Sequence, residues 1–283
     1  PVTKANPYVD AFWNWWPNLY TDLHTFRITG GEPLMSQDTW KVLDYILEHP
    51  NPNKNLNLAI NSNLGVPDKL VDRFIEKVQK ICEEDRVKEF VIFTSVDSWG
   101  AQAEYIRNGL EFNRFWDNCH KVLEKCPKVI LTYMVTYNAL SVPNYDKLIR
   151  GVYDLKTQYG SDDRYWNSAT FLDTSYLRHP KHQTVQVLEP HWADKIYADA
   201  QLVDFLGVPL FEKEYIGYSD VEIQKLKRTF DWMKSPIPEK QLETQRRNFG
   251  YYFRAHDERR GTDFCATFPE LEEFYRKCLE IKI

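Results

Sequence analysis

The chain is short of several things that would fix its class at once. It carries only 11 glycines and 3 methionines in 283 residues, and its five cysteines are odd in number and far apart. Cys82, Cys119, Cys126, Cys265 and Cys278 therefore read as reduced thiols rather than as a disulfide framework, which fits a cytoplasmic protein. Cys119 and Cys126 lie near the end of one helical stretch and read as core packing rather than as metal ligands. No apolar run approaches the roughly 18 residues needed to cross a bilayer, and there is no charged-then-apolar leader. An excess of basic charge is missing too. Against 36 Lys and Arg stand 41 Asp and Glu, for a net charge of −5. That balance disfavours a nucleic-acid or anionic-membrane partner. The first residue is Pro1 rather than Met, so the chain reads as an internal piece of a longer protein.

What is present is a globular composition, with 43% hydrophobic and 27% charged residues. The length suits one large α/β barrel-like domain or two smaller ones. Aromatic residues at helical spacing (Phe12, Trp13, Trp16, Leu19, Tyr20) predict a packed helix within residues 1–23. From there a β-then-α rhythm takes over. Strands are predicted at His24–Thr29, Leu56–Ile60, Phe90–Ser95, Val129–Thr136 and about Ser168–Thr174. Between them, helices are predicted at Gln37–Glu48, Pro67–Cys82, Ala101–Lys125 with a break near Gly109, and Val142–Tyr159. Such alternation indicates a parallel sheet with right-handed crossovers. Beyond about residue 185 the pattern turns helical: Glu189–Leu206, Ser219–Met233, Glu239–His256 and Pro269–Lys282. The expected organisation is a partial (β/α) barrel over 1–185 and a helical C-terminal extension over 186–283 packed on it.

The carboxyl ends of the predicted strands are all polar: Gly30-Gly31-Glu32, Asn61-Ser62-Asn63, Ser95-Val96-Asp97-Ser98, Thr136-Tyr137-Asn138 and Asp173-Thr174-Ser175. Parallel α/β folds bind ligands beyond those ends, so the five together predict a lined site. Gly30-Gly31 is the only Gly-Gly pair in the chain. Paired glycines leave backbone N–H and C=O groups bare to a ligand, Glu32 adds one negative charge, and Pro33 stops the strand. The combination suits a small ligand that carries an ammonium group.

Gly30-Gly31-Glu32-Pro33 at a strand end, followed by Leu34 and a helix, resembles the GGEP motif of the radical S-adenosylmethionine (SAM) superfamily. Asn61-Ser62-Asn63-Leu64-Gly65 and Ser95-Val96-Asp97-Ser98 look like that family's next two motif-bearing strand ends. Tyr176-Leu177-Arg178-His179-Pro180, Asp257-Glu258-Arg259-Arg260-Gly261 and Phe268-Pro269-Glu270 are similar to its twitch-domain subgroup. The resemblance implies a partial barrel of radical SAM type, SAM and a [4Fe–4S] cluster as cofactors, and a peptide or small-molecule substrate. It also implies an electron donor such as flavodoxin or ferredoxin. In that family reductive cleavage of SAM gives a 5′-deoxyadenosyl radical that abstracts hydrogen from substrate. Gly30, Gly31 and Glu32 would receive the methionyl ammonium, with Pro33 also among the cofactor-binding residues. Ser95 and Asp97 would face the ribose or carboxylate, Asn63 the adenosine, and Arg107 the carboxylate.

Each residue has a plainer alternative. Glu32 could pair with Arg27, Ser95 and Asp97 could cap a helix, Asn63 could shape a turn, and Arg107 could be a surface arginine. Arg247, Tyr251 and Arg254, with Arg259 and Arg260, read as a solvated basic face before an anion site. The family's CxxxCxxC motif is missing, and the first cysteine is Cys82. The cluster ligands are therefore expected upstream of residue 1, with the first barrel strand. Two other readings stay open: a non-catalytic SAM-barrel relative, and an α/β-barrel hydrolase using Glu32 and Asp97 as paired carboxylates.

Overall fold

The computed structural model describes residues 6–160, 169–207 and 217–282. Helix α1 (Pro7–Asp22) opens on Asn6, whose side chain accepts from the Tyr8 N–H, with Pro7 in the first turn. Its aromatic stripe lies against the first strand: the Trp16 ring is 4.9 Å from Phe26, and Tyr20 is fully buried. Of the aromatic helix expected within residues 1–23, positions 1–5 lie outside the described residues, as does Ser168 of the fifth expected strand.

Five strands follow: β1 (Thr25–Ile28), β2 (Asn53–Asn61), β3 (Val87–Ser95), β4 (Val129–Tyr137) and β5 (Thr170–Tyr176). They form one sheet in the order β1-β2-β3-β4-β5, and every pairing is parallel. The crossovers carry α2 (Gln37–Glu48), α3 (Asp68–Glu83), α4 (Gly100–Ile106), α5 (Phe112–Lys125) and α6 (Tyr145–Tyr159). The break expected near Gly109 is real. It separates α4 from α5, and Gly109 takes a φ of 85° in that turn.

An order that never reverses means that the sheet winds one way, as in a barrel, rather than both ways from a switch point. Burial follows the strand period of two. Leu58, Ile60, Phe90, Ile92, Leu131, Tyr133 and Leu172 face the helices and are buried. Phe74 of α3 meets Phe90 at 6.2 Å, a burial that contributes about 2–3 kcal/mol per ring. The registered neighbours on the other face are Arg27, Ala59, Val91 and Asn61, Phe93, Thr132, with Ser95, Met134 and Asp173 further along. Toward the carboxyl ends this face is only half-buried or exposed, and it carries polar groups. A parallel sheet is normally covered on both sides, so this polar, open side is the feature that needs a function.

The remaining helices are α7 (Trp192–Phe205), α8 (Asp220–Lys234), α9 (Glu239–Arg260), α10 (Phe264–Thr267) and α11 (Glu272–Glu280). They are tied to the sheet by buried polar contacts. Glu222 of α8 pairs with Lys156 of α6 at 3.0 Å and accepts from the Leu172 N–H of β5 at 2.7 Å. Tyr105 of α4 donates to Asp257 of α9 at 2.8 Å. No helix among the described residues is long and apolar enough to cross a membrane.

Candidate functional site at the strand ends

Glu32 leaves β1 through the glycine pair. Gly30 and Gly31 take φ values of 97° and 54°, a region where an L side chain is strained, and both are exposed. A Cβ on either would meet nothing within 4 Å. The glycines are therefore required by the turn itself, and the turn aims Glu32 across to the end of β2. One Glu32 oxygen, Oε1, accepts from the Ser62 hydroxyl at 2.8 Å and the Leu34 N–H at 3.1 Å. The other, Oε2, accepts from the Asn63 N–H at 2.8 Å. Ser62 in turn accepts from the Leu64 N–H at 3.1 Å, which fixes its hydroxyl for donation to Glu32. Pro33 begins the short 3₁₀ turn Pro33–Met35 that Glu32 caps, and it is buried.

Two carboxylate oxygens offer about four acceptor positions. Three are filled, all by neutral donors, and no cation pairs with Glu32 among the described residues. The carboxylate is thus held in one place with its charge uncompensated and one position on Oε2 open. Arg27, the alternative partner, points elsewhere. Its Nε donates to Asn61 Oδ1 at 2.7 Å, and its guanidinium lies 3.9 Å from the centre of the Phe93 ring.

Asp97 is different. It is 4% exposed, and its carboxylate pairs with Arg107, Nε to Oδ2 at 2.8 Å and Nη2 to Oδ1 at 3.2 Å. It also accepts from the Thr136 N–H at 2.7 Å. Burial raises its pKa, and the Arg107 charge and the Thr136 N–H oppose that shift. Asp97 is expected from the sequence to face the ribose or carboxylate of a ligand. In the structure it is closed off by its own ion pair and holds Arg107 at the end of β3. The hydrolase reading loses its second carboxylate for the same reason.

Glu32, Asn63, Ser95 and Arg107 line one cavity of about 600 Å³, together with Met35 and the Gly109 turn. Four of the residues expected from the sequence thus meet in one place, whereas Gly30 lines a different cavity, with Arg27 and Ser36, and Gly31 lines neither. Asp97 and Pro33 are buried and do not line the cavity. Ser62 was missed as the anchor of Glu32, although it sits between Asn61 and Asn63. Asn138 spends its side chain on a local turn, with Oδ1 accepting from the Leu140 N–H at 2.9 Å. His182 packs on Tyr252 at 5.0 Å, and the Arg254 guanidinium lies 4.9 Å from the Tyr251 ring.

The cysteines do not gather. Cys82, Cys119, Cys126 and Cys278 are buried in the hydrophobic core, and burial pushes the Cys119 thiol up to about 12. No group of three or more His, Cys, Asp or Glu able to hold a metal occurs among the described residues. No protein-family model, no curated protein and no solved structure matches the chain.

Proposed function

We propose that this chain binds SAM at the carboxyl ends of β1–β3, as the SAM-binding part of a radical SAM enzyme. The observation that carries the reading is Glu32: a carboxylate fixed by three neutral donors, with no cation of its own, beside a cavity of about 600 Å³. An amino-acid ammonium supplies the missing charge, and a charge-assisted bond to the open Oε2 position orients it. Ser95 offers a hydroxyl that both donates and accepts, as a ribose requires. Arg107 keeps N–H groups beyond those given to Asp97, and these suit the methionyl carboxylate. The resemblance of Gly30-Gly31-Glu32-Pro33 to the family motif supports the same ligand.

A [4Fe–4S] cluster does not fit the described residues, because their cysteines are scattered and mostly buried. The roles proposed for this chain are therefore confined to binding, orienting and shielding SAM and substrate. The test is calorimetric titration of the chain with SAM and with 5′-methylthioadenosine, which lacks the ammonium and carboxylate. Saturable SAM binding is expected, weakened by Glu32→Gln, with the weaker thioadenosine binding unchanged by that substitution. If SAM gives no saturable signal, or if Glu32→Gln weakens both ligands equally, the reading fails.

A further inference from the structure

At the opposite edge of the sheet, Thr174, Ser175, Tyr176, Arg178, Lys225 and Arg228 line a second cavity, of about 330 Å³. It sits at the carboxyl end of β5, where parallel sheets place ligands. Three of its lining residues are cations. Lys225 leans from α8 onto the open face, above the Phe171 ring, and is neutralised by Asp173. Arg178 and Arg228 have no acidic partner among the described residues. Arg178 donates to the Tyr176 hydroxyl at 3.0 Å, and the Arg228 Nε donates to the Gln224 carbonyl at 3.2 Å. Each guanidinium has five N–H donors, so most remain free.

The cavity wall is also stiffened. Tyr176 stacks on Trp232 at 5.2 Å and 22°, the Arg178 guanidinium lies 5.2 Å from the Tyr176 ring centre, and Lys181 lies 5.3 Å from that of Trp232. Stacking fixes the plane in which Arg178 presents its fork. Two uncompensated guanidiniums, beside a Lys225 already neutralised by Asp173, match a dianion better than a monoanion. We infer that this cavity is an anion subsite that takes a phosphate monoester, the anchoring end of the substrate. The substrate part of this inference rests on the SAM reading. With strands about 4.8 Å apart, β5 lies about 10 Å from β3. A phosphate ester held at Arg178 and Arg228 would have to span at least that distance to come beside Ser95.

Phenyl phosphate and benzoate, titrated into the full chain without SAM, test the subsite by itself. Phenyl phosphate is expected to bind saturably at pH 7.5, and benzoate at least about tenfold more weakly. Arg178→Gln and Arg228→Gln should each weaken phenyl phosphate roughly tenfold, the weight of a charge-assisted contact, with the melting temperature unchanged. On the unsubstituted chain, affinity should fall as the pH drops through about 6, where the phosphate loses its second charge. Equal binding of benzoate, a pH-independent affinity, or an unchanged affinity in the double variant would overturn the assignment. Glu32→Gln leaves this titration untouched, so the subsite and the SAM reading fail separately.

Discussion

Glu32 and Asp97 follow β1 and β3, two strands apart in the sheet, and they have opposite solutions to the same problem. Each is a carboxylate at the end of a strand, and each is held by hydrogen bonds from the next strand's end. Asp97 is buried and takes a guanidinium, so its charge is spent inside the protein. Glu32 is half-buried and takes only neutral donors, so its charge meets no cation among the described residues. A carboxylate with its own cation serves the fold, and under the proposed SAM reading the one without a cation is the ligand's partner. The distinction lies in the partners, since both residues are acidic, loop-borne and at equivalent places in the β/α rhythm.

The comparison can be broken most strongly at Asp97. Asp97→Ala leaves Arg107 and the Thr136 N–H without their partner, and about 3 kcal/mol of stability should be lost, read by urea denaturation. A loss below 1 kcal/mol would show that Asp97 is not the structural member of the pair. Asp199 supplies a third case. It is buried beside Lys195, at 2.7 Å, with its Oδ2 unpartnered, and burial raises its pKa to about 7. A carboxyl raised in the folded state stabilises fully below its unfolded value of about 3.9, and that contribution declines as pH rises toward 7. Between those limits the slope should approach about 1.4 kcal/mol per pH unit, and Asp199→Asn should flatten it in denaturation series at stepped pH.

At Glu32 the expected effect is on ligand rather than on fold. Glu32→Gln should reduce SAM affinity about tenfold while costing about 1 kcal/mol or less of stability, since an amide oxygen still accepts from Ser62 or Asn63. A stability loss as large as that of Asp97→Ala would erase the contrast between the two residues. The smallest effect belongs to the turn that aims Glu32. Gly31→Ala should cost about 1 kcal/mol through its positive φ alone, because the Cβ enters open space. Gly31→Asn should cost less than Gly31→Ala, since asparagine tolerates the left-handed region, and thermal melts of the two variants compare them directly.

Much of the fold could be read along the chain. The sheet strands coincide with β-branched runs, and α3 and α5 carry apolar residues at helical spacing over Val71–Cys82 and Phe112–Leu123. The polar strand ends were legible in the same way, and four of the expected site residues share a cavity. What could not be read was partnership. Arg27 is five residues from Glu32 in sequence, yet it turns to Asn61 and Phe93 because the strand period places it on the open face. Arg107 is ten residues from Asp97 and reaches it only because α4 returns over the end of β3. The cavity of Arg178 and Arg228 needs β5 and α8 to meet across 50 residues of chain.

The sequence by itself determined the β/α rhythm, the single Gly-Gly turn with its carboxylate, and the absence of any cysteine cluster within these 283 residues. Those are local properties: backbone propensity, the period of burial, and which residues are present. Only the tertiary structure decided which carboxylate keeps its charge. That outcome depends on donors brought together from different strand ends, and on whether a cation lies within reach once the chain is folded.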